Sequence, residues 1–231
     1  MDVKAIVKGK IGELKTQALS TLLLDSKYRI FNNVIVKDEN GNTTQIDHVI
    51  IGDNGIFVVE TKEYTGQIYG TEKEATWTKV IYKRKDRIPN PLRQNYRHKM
   101  VLAEYLGVEK EKIFSLIVFW GECEFVKDMP ENVIKADVLK GNYTGFIKSR
   151  KKILFSIEEL NRLVALMREA KDSQGILSGY KHVKGLKERY SSETVCPKCG
   201  GTLIERVAQK GIYKGQRFIG CSNFPKCKYR K

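Results

Sequence analysis

The sequence of 231 residues lacks any apolar run close to the roughly 20 residues that a helix needs to cross a bilayer. Its first residues also lack the apolar segment of a secretory signal peptide, and signals for lipid anchors are missing. These absences argue against an integral membrane protein and a membrane partner. We therefore expect a protein of the reducing cytoplasm.

Acidic residues are scarce relative to basic ones. The chain has 27 aspartates and glutamates against 42 lysines and arginines, for a formal net charge of +15. A surplus of this size favours a polyanionic partner, and nucleic acid fits better than a membrane because no long amphipathic stripe accompanies the basic residues. A hydrophobic content of 41% allows one sizeable domain plus a small module.

Cysteine is also rare, and four of the five cysteines lie in the last 36 residues. They form two close pairs, Cys196 with Cys199 and Cys221 with Cys227, separated by 21 residues. This spacing predicts one tetrahedral zinc site with four thiolate ligands. Two disulfides are the alternative, but they suit secreted proteins and would leave Cys123 unpaired.

Cations alternate with aromatic residues around these cysteines. This composition is typical of surfaces that neutralise phosphates and stack on bases. The residues of the tail that we expect to contact nucleic acid are Arg217, Phe218, Phe224, Lys226 and Tyr229.

The upstream sequence predicts alternating helices and strands. We expect helices at 3–24, 91–106 and 157–170, and strands at 28–36, 43–51, 56–62 and 113–120, with shorter strands near 66–69 and 78–82. The apolar stripe of the first helix would be Ile6, Ile11, Leu14, Ala18 and Leu22. This order predicts an α/β fold in which helices flank a mixed sheet, followed by the zinc module.

Two acidic residues and a lysine stand out on neighbouring strands. Asp47 lies in an otherwise apolar segment, where an unpaired carboxylate would be costly. Glu60 and Lys62 share a strand face, and a tight turn joins the two strands. The two carboxylates can thus converge on one hard cation, with the Thr61 carbonyl as a third ligand. A surface ion pair between Glu60 and Lys62 is the plainer interpretation.

The order of these residues resembles the PD-(D/E)xK nuclease superfamily, whose fold is restriction-endonuclease-like. In particular, four motifs resemble its nuclease-related (NERD) domain. They are Gly12-Glu13, Gln45-Ile46-Asp47-His48, Val59-Glu60-Thr61-Lys62 and Gln94. One departure is Ile46, which stands where the superfamily's name has proline.

The resemblance implies catalytic roles for five residues. Asp47 and Glu60 would bind Mg²⁺ or Mn²⁺, and Lys62 would be the catalytic lysine. Glu13 would assist metal binding or hold water, and Gln94 would orient the lysine or a phosphate. His48 points to the opposite strand face from Asp47, and we expect His98 to be solvated on its helix.

The tail resembles the four-cysteine zinc ribbons at the C-terminus of bacterial type IA topoisomerases. The resemblance implies a structural Zn²⁺ and DNA binding, chiefly to single strands. We therefore predict a NERD domain at 1–175, with a family core at about 8–125, a linker at 176–192 and a ribbon at 193–231.

The leading hypothesis is a metal-dependent nuclease that cleaves single-stranded or branched DNA. Arg84, Arg93 and Arg97 would flank its site and contact DNA. A DNA-binding accessory protein that no longer cleaves is one alternative, and an RNA-processing nuclease is another. Oligomeric state, sequence specificity and pathway do not follow from the sequence.

Overall fold

The computed structural model describes residues 3–39, 41–137, 141–174, 194, 196, 202–211, 213–225 and 227–230, with side chains from residue 9 onward. The chain divides into two compact units. The first comprises Met1–Val36 and Thr44–Ser173, and the second comprises Lys37–Thr43 and Gln174–Lys231. The predicted linker at 176–192 lies outside the described residues, so the predicted domain boundaries stay a prediction.

The described chain contains four α-helices. They are α1 (Val3–Leu23), α2 (Pro91–Leu106), α3 (Asn142–Ser149) and α4 (Ile157–Asp172). Asn90 caps α2 by accepting a hydrogen bond from the Leu92 amide at 2.9 Å, and Gly107 ends the helix in the left-handed conformation. A capping box opens α4. None of the described helices is long and apolar enough to span a membrane.

Within the described ranges, eleven strands form three sheets. They are β1 (Arg29–Lys37), β2 (Thr43–Gly52), β3 (Gly55–Glu63), β4 (Gly66–Tyr69), β5 (Thr76–Ile81), β6 (Arg84–Pro89), β7 (Ile113–Trp120), β8 (Cys123–Phe125), β9 (Val133–Lys135), β10 (Leu203–Val207) and β11 (Arg217–Cys221). The first sheet has the order β1-β2-β3-β7-β9. β3 pairs antiparallel with β2 and parallel with β7. The predicted mixed sheet is thus confirmed.

Helices cover both faces of this sheet. Ile56 and Val58 of β3 face α2 and α4, in a core that includes Leu102 and Leu163. Phe57 and Val59 face the opposite way, toward α1 and α3. Because side chains alternate along a strand, Glu60 and Lys62 continue the row that faces α2.

Strands β3 and β7 of the first sheet continue directly into β4 and β8 of a second sheet, whose order is β6-β5-β4-β8. The Tyr64 amide donates to the Trp120 carbonyl at 3.0 Å and the Gly66 amide to the Glu122 carbonyl at 2.9 Å, so the ladder is unbroken. A side chain at Gly121 would come within 2.3 Å of the Tyr64 carbonyl oxygen, and its φ is +86°. Only glycine fits this bend.

The predicted apolar stripe of α1 is wrong. Ile11, Leu14 and Leu22 are exposed, and so is Ala18, whereas the small and polar residues Gly12, Thr16 and Ser20 are buried. A Cβ atom on Gly12 would lie 3.1 Å from Thr61 Cγ2, so the helix packs unusually close to β3. Hydrogen bonds replace apolar packing there: Trp120 Nε1 donates to Thr16 Oγ1 at 2.8 Å.

The second unit is built on the antiparallel hairpin of β10 and β11. Among the residues that the structure describes here, the core consists of Leu203 and three cysteines, with Ile219 and Tyr229 packed against them. A core of this size is too small to hold a fold by apolar burial alone.

Candidate functional site

Asp47 and Glu60 come together because β2 and β3 are paired. His48 lies opposite Val59, so Asp47 and Glu60 are the next pair along the register. Asp47 Oδ2 accepts a hydrogen bond from the Thr61 amide at 2.9 Å. Glu60 is 2% exposed, a value rare for a glutamate. The structure therefore places two carboxylates on one sheet face, at the end of a buried strand.

Lys62 and Gln94 surround one oxygen of Glu60. Lys62 Nζ forms an ion pair with Glu60 Oε1, and Gln94 Nε2 donates to the same oxygen at 2.7 Å. Lys62 Nζ also donates to Gln94 Oε1 at 3.1 Å, so each of the three side chains interacts with the other two. Four of the five residues predicted to be catalytic thus share one cluster: Asp47, Glu60, Lys62 and Gln94.

Burial and neighbouring charges shift the pKa values of the cluster. Burial raises the pKa of Asp47 well above its usual value, and the charge of Glu60 raises it further. For Lys62, burial lowers the pKa, but the charges of Glu60, Tyr64 and Asp47 and the hydrogen bond to Glu60 together outweigh burial, and the net shift is upward. Lys62 is therefore an ammonium at neutral pH, and it balances only part of the negative charge.

Glu13 approaches the cluster from α1. Burial raises its pKa, a hydrogen bond with the Asn33 side chain lowers it, and the charge of Glu60 raises it again. Asn33 has a positive φ of 53°, a conformation that asparagine tolerates, and it also accepts from Gln45 Nε2 at 3.1 Å. Asn33 was missed in the sequence, where two asparagines within an apolar strand were the available signal.

His98 corrects an expectation, because it is buried rather than solvated. Its Nδ1 lies 3.4 Å from Glu60 Oε2, on the side of the carboxylate away from Lys62. One turn earlier, Asn95 donates to the Val58 carbonyl at 2.9 Å and to Ser115 Oγ at 2.8 Å, which fixes α2 on β3 and β7. Both polar residues lie on the stripe that includes Leu102, and this spacing was the missed signal.

The cluster has the chemistry of a site for a hard cation. Glu60 Oε2 is buried and accepts no hydrogen bond from the described residues. The oxygen-rich set of Asp47 and Glu60 suits Mg²⁺ or Mn²⁺, which retain several waters. Across the described residues, no three acidic or histidine side chains bring their ligand atoms within 4.8 Å of one another. A cation here would therefore be held by these two carboxylates, completed by backbone oxygen and water.

Replacing Asp47 by asparagine should stabilise the metal-free protein. A carboxyl group whose pKa is raised by folding contributes stability at low pH, and this contribution is lost as pH rises through the raised pKa. Asp47→Asn removes this loss, and its amide oxygen can still accept from Thr61. We expect a higher melting temperature at alkaline pH, by about 2–4 °C per kcal/mol recovered, and no gain in acid.

The matched control is Asp53→Asn in the turn that follows β2. Asp53 forms a surface ion pair with Lys27 at 3.1 Å, so its removal should give no gain at any pH. Thermal melts across a pH series, without divalent cations, provide the measurement. Equal curves for wild type and Asp47→Asn would contradict the expectation.

The second unit contains a separate metal site. The Sγ atoms of Cys196, Cys221 and Cys227 all lie within 4.8 Å of one another, and all three side chains are buried. The distance between Cys196 and Cys227 Sγ is 3.8 Å. A disulfide needs about 2 Å, whereas ligands of one tetrahedral zinc at about 2.3 Å stand about 3.8 Å apart. The geometry fits structural Zn²⁺; Cys199 lies outside the described residues.

A groove on the second unit is lined by three of the five tail residues predicted to contact nucleic acid, Phe218, Phe224 and Tyr229. Arg206 stacks over Phe224, with 5.8 Å from its guanidinium carbon to the ring centroid. Arg217 is exposed beside Glu205, and Lys226 is outside the described residues. The cations and aromatics that line the groove are Arg206, Phe218, Phe224, Lys228, Tyr229 and Arg230.

Three arginines were predicted to flank the catalytic cluster. Arg84 is exposed on β6 and pairs with Asp86 at 2.9 Å. Arg93 is exposed next to Gln94, where it donates to the Lys73 carbonyl, and Arg97 is half-buried one turn further along α2. All three lie in the first unit, and their contact with DNA stays a prediction.

The fold and these two sites define a nuclease-like, DNA-binding protein. The family model of the nuclease-related domain, NERD, matches residues 8–120, and that of the topoisomerase DNA-binding C4 zinc finger matches residues 193–231. The chain therefore carries a nuclease-related (NERD) domain and ends in a topoisomerase-type zinc ribbon. The domain order expected from the sequence is confirmed.

The relatives match different shares of the chain. An uncharacterized protein of Bacillus anthracis is 32% identical over 186 residues, which are 80% of this chain and 87% of that protein. DNA topoisomerase 1 of Mycoplasma genitalium is 30% identical over 55% of this chain, but that match spans only 15% of the topoisomerase. The enzyme of Pyrococcus furiosus is 59% identical over 32 residues, 14% of this chain and 3% of that enzyme.

One solved structure also matches the chain. The crystal structure of AF1548, a protein of unknown function, is 15% identical and covers 72% of this chain and 97% of that one. Its TM-score of 0.28 carries no argument about fold or function.

Proposed function

We propose that this protein is a Mg²⁺- or Mn²⁺-dependent nuclease that hydrolyses phosphodiester bonds of DNA. The observation that carries the proposal is the convergence of Asp47, Glu60 and Lys62 on one sheet face. Gln94 forms hydrogen bonds with both Glu60 and Lys62. A plain surface ion pair would not need a second carboxylate, and its glutamate would not be buried.

Each residue has a distinct task in the proposed reaction. Asp47 and Glu60 hold the cation, which when bound stabilises charge on the phosphoryl oxygens and lowers the pKa of water. Lys62 presents an ammonium that donates a hydrogen bond to the attacking water or to a phosphoryl oxygen. Gln94 orients that ammonium through its 3.1 Å hydrogen bond, while Glu13 adds negative charge at the rim.

The zinc ribbon supports DNA as the substrate. Its family is described as DNA-binding, and the groove on the second unit combines cations with aromatic rings. Aromatic stacking requires exposed base faces, so single-stranded or branched DNA fits better than an intact duplex. The ribbon would hold the substrate and take no part in bond breaking, because a zinc with four cysteine ligands has no open position.

The decisive experiment is a cleavage assay with the full chain on single-stranded, double-stranded and branched DNA, with matched RNA as competitor. We expect cleavage when Mg²⁺ or Mn²⁺ is added and none when these ions are omitted. Omitting the ions, rather than adding a chelator, keeps zinc in the ribbon. A second arm of the experiment adds a chelator, so that the effect of removing zinc can be compared with the effect of omitting Mg²⁺ or Mn²⁺.

Three outcomes would count against the proposal. Binding of DNA without turnover in any metal would favour the accessory protein, and preferential cleavage of RNA would favour the RNA-processing nuclease. Cleavage that persists in excess chelator would rule out the cation held by Asp47 and Glu60.

A further inference from the structure

The hairpin of β5 and β6 presents an aromatic residue at its tip. Ile81 pairs with Arg84, so Tyr82 and Lys83 form a two-residue turn. The side chain of Tyr82 is 98% exposed, and it makes no ring contact with the described residues. The ring of Tyr82 therefore has no packing role among the described residues, and its neighbours in the sequence are charged.

The backbone conformation at Tyr82 is also unfavourable for a tyrosine. Its φ is +52°, in the left-handed region. Two-residue hairpin turns favour glycine, asparagine or aspartate at positions of positive φ, because the Cβ atom of other residues is crowded by the backbone there. Tyr82 therefore has a strained backbone conformation, although its ring makes no packing contact with the described residues. Such an outlier points to a functional role for the ring.

The strands below the tip are strongly basic. Five cations accompany a single carboxylate, Asp86, which pairs with Arg84 at 2.9 Å and with Lys79 at 3.6 Å. The five cations of the hairpin are Lys79, Lys83, Arg84, Lys85 and Arg87. β6 is also the edge strand of its sheet. The ring of Tyr82 therefore stands at the tip of a basic hairpin, and the patch offers too little apolar area for a membrane or an apolar protein surface.

Contacts lead from this hairpin to the catalytic cluster. Lys79 Nζ lies 5.2 Å from the centroid of the Tyr64 ring. Tyr64 follows Lys62 by two residues, and the charge of each group affects the pKa of the other. The tip is three residues beyond Lys79, or about 10 Å at the usual rise of a strand. One DNA segment can therefore reach both the cluster and the tip.

We propose that the β5–β6 hairpin is a wedge that binds DNA where a duplex meets a single strand. Its cations bind backbone phosphates, and the ring of Tyr82 stacks on the first unpaired base. A base within an intact duplex is stacked on both faces and offers no surface to a flat ring, whereas an unpaired base does. The inference rests on the proposed nuclease function and names its substrate class as junction DNA.

The test measures binding by the full chain with Mg²⁺ and Mn²⁺ omitted, so it does not depend on cleavage. The probe is a duplex with a single-stranded tail that carries 2-aminopurine at the first unpaired position. Fluorescence quenching reports stacking, and a titration gives Kd. The variants are Tyr82→Gly, which removes the ring, Tyr82→Phe, which keeps it, and Tyr82→Leu, which keeps apolar bulk without a flat ring.

For Tyr82→Gly we expect weaker binding to the junction by about 5- to 150-fold, the range for loss of one stacked base. Quenching should be lost, and the melting temperature should not fall because glycine suits the turn. Tyr82→Phe should behave like wild type, and Tyr82→Leu like the glycine variant.

Three results would overturn the wedge. They are wild-type affinity of Tyr82→Gly for the junction, an equal loss on a fully paired duplex, and stronger quenching with the RNA counterpart than with DNA. If the proposed nuclease function fails instead, the cleavage assay shows no turnover while these binding results stand.

Discussion

Lys62→Ala should reduce metal-dependent cleavage by about 10²- to 10³-fold, the loss seen when one donor to a developing charge is removed. Lys62 is held by Glu60 and Gln94 within the cluster, so its ammonium has a fixed position relative to the two carboxylates. DNA affinity should change little, since the many other cations carry the contacts to phosphate. Single-turnover cleavage and equilibrium binding measure the two effects separately.

Two further variants separate chemistry from folding. Lys62→Gln keeps a hydrogen-bond donor for Glu60 but carries no charge, so we expect it to be folded and still inactive. Lys15→Ala removes a lysine that pairs with Glu63 at 3.2 Å on the neighbouring surface, and it should cleave normally. Wild-type cleavage by Lys62→Ala, or an equal loss in Lys15→Ala, would remove Lys62 from the reaction.

Loss of the ribbon zinc should weaken DNA binding by roughly tenfold or more, which corresponds to one or two lost stacking contacts. Cys221→Ser removes a buried ligand that also lies at the end of β11. Structural zinc contributes about 10–16 kcal/mol to the folding of small zinc modules, and the core formed by the described residues of this unit is too small to replace it. The groove with Arg206 and Phe224 would therefore not form.

Cys123→Ala is the matched control, since Cys123 is buried in the first unit and burial raises the pKa of its thiol. Elemental analysis should find one zinc per chain in this control and none in Cys221→Ser. At saturating DNA, the cleavage step of Cys221→Ser should stay within a few fold of wild type. Unchanged DNA affinity in the zinc-free variant would contradict a binding role for the ribbon.

Elements whose limits depend on local signals were predictable from the sequence. Asn90, Pro91 and Gly107 define α2, because each satisfies or terminates the helix through its own backbone and side chain. The capping residue Ser156 similarly marks the start of α4. Asp47 and Glu60 were predictable as neighbours, since a tight turn sets the register of the two strands that carry them.

Features that depend on tertiary contacts were not predictable in this way. β6 reads Arg84-Lys85-Asp86-Arg87-Ile88-Pro89, which has no apolar alternation, and it is a strand because it pairs with β5. The buried face of α1 includes the polar residues Thr16 and Ser20 beside Leu19, because hydrogen bonds of Thr16 to β3 and β7 allow close approach. His98 is buried because α2 lies flat on the sheet, a position fixed by Asn95.

The unbroken ladder that carries β3 and β7 into β4 and β8 has a consequence for how distances are kept. Side chains on either sheet can vary without changing the length of two hydrogen-bonded backbones. These two paired backbone segments therefore keep a fixed distance between the carboxylates at one end and the base of the β5–β6 hairpin at the other. The bend between the two sheets lies at Gly121, where the backbone comes so close to Tyr64 that no side chain fits.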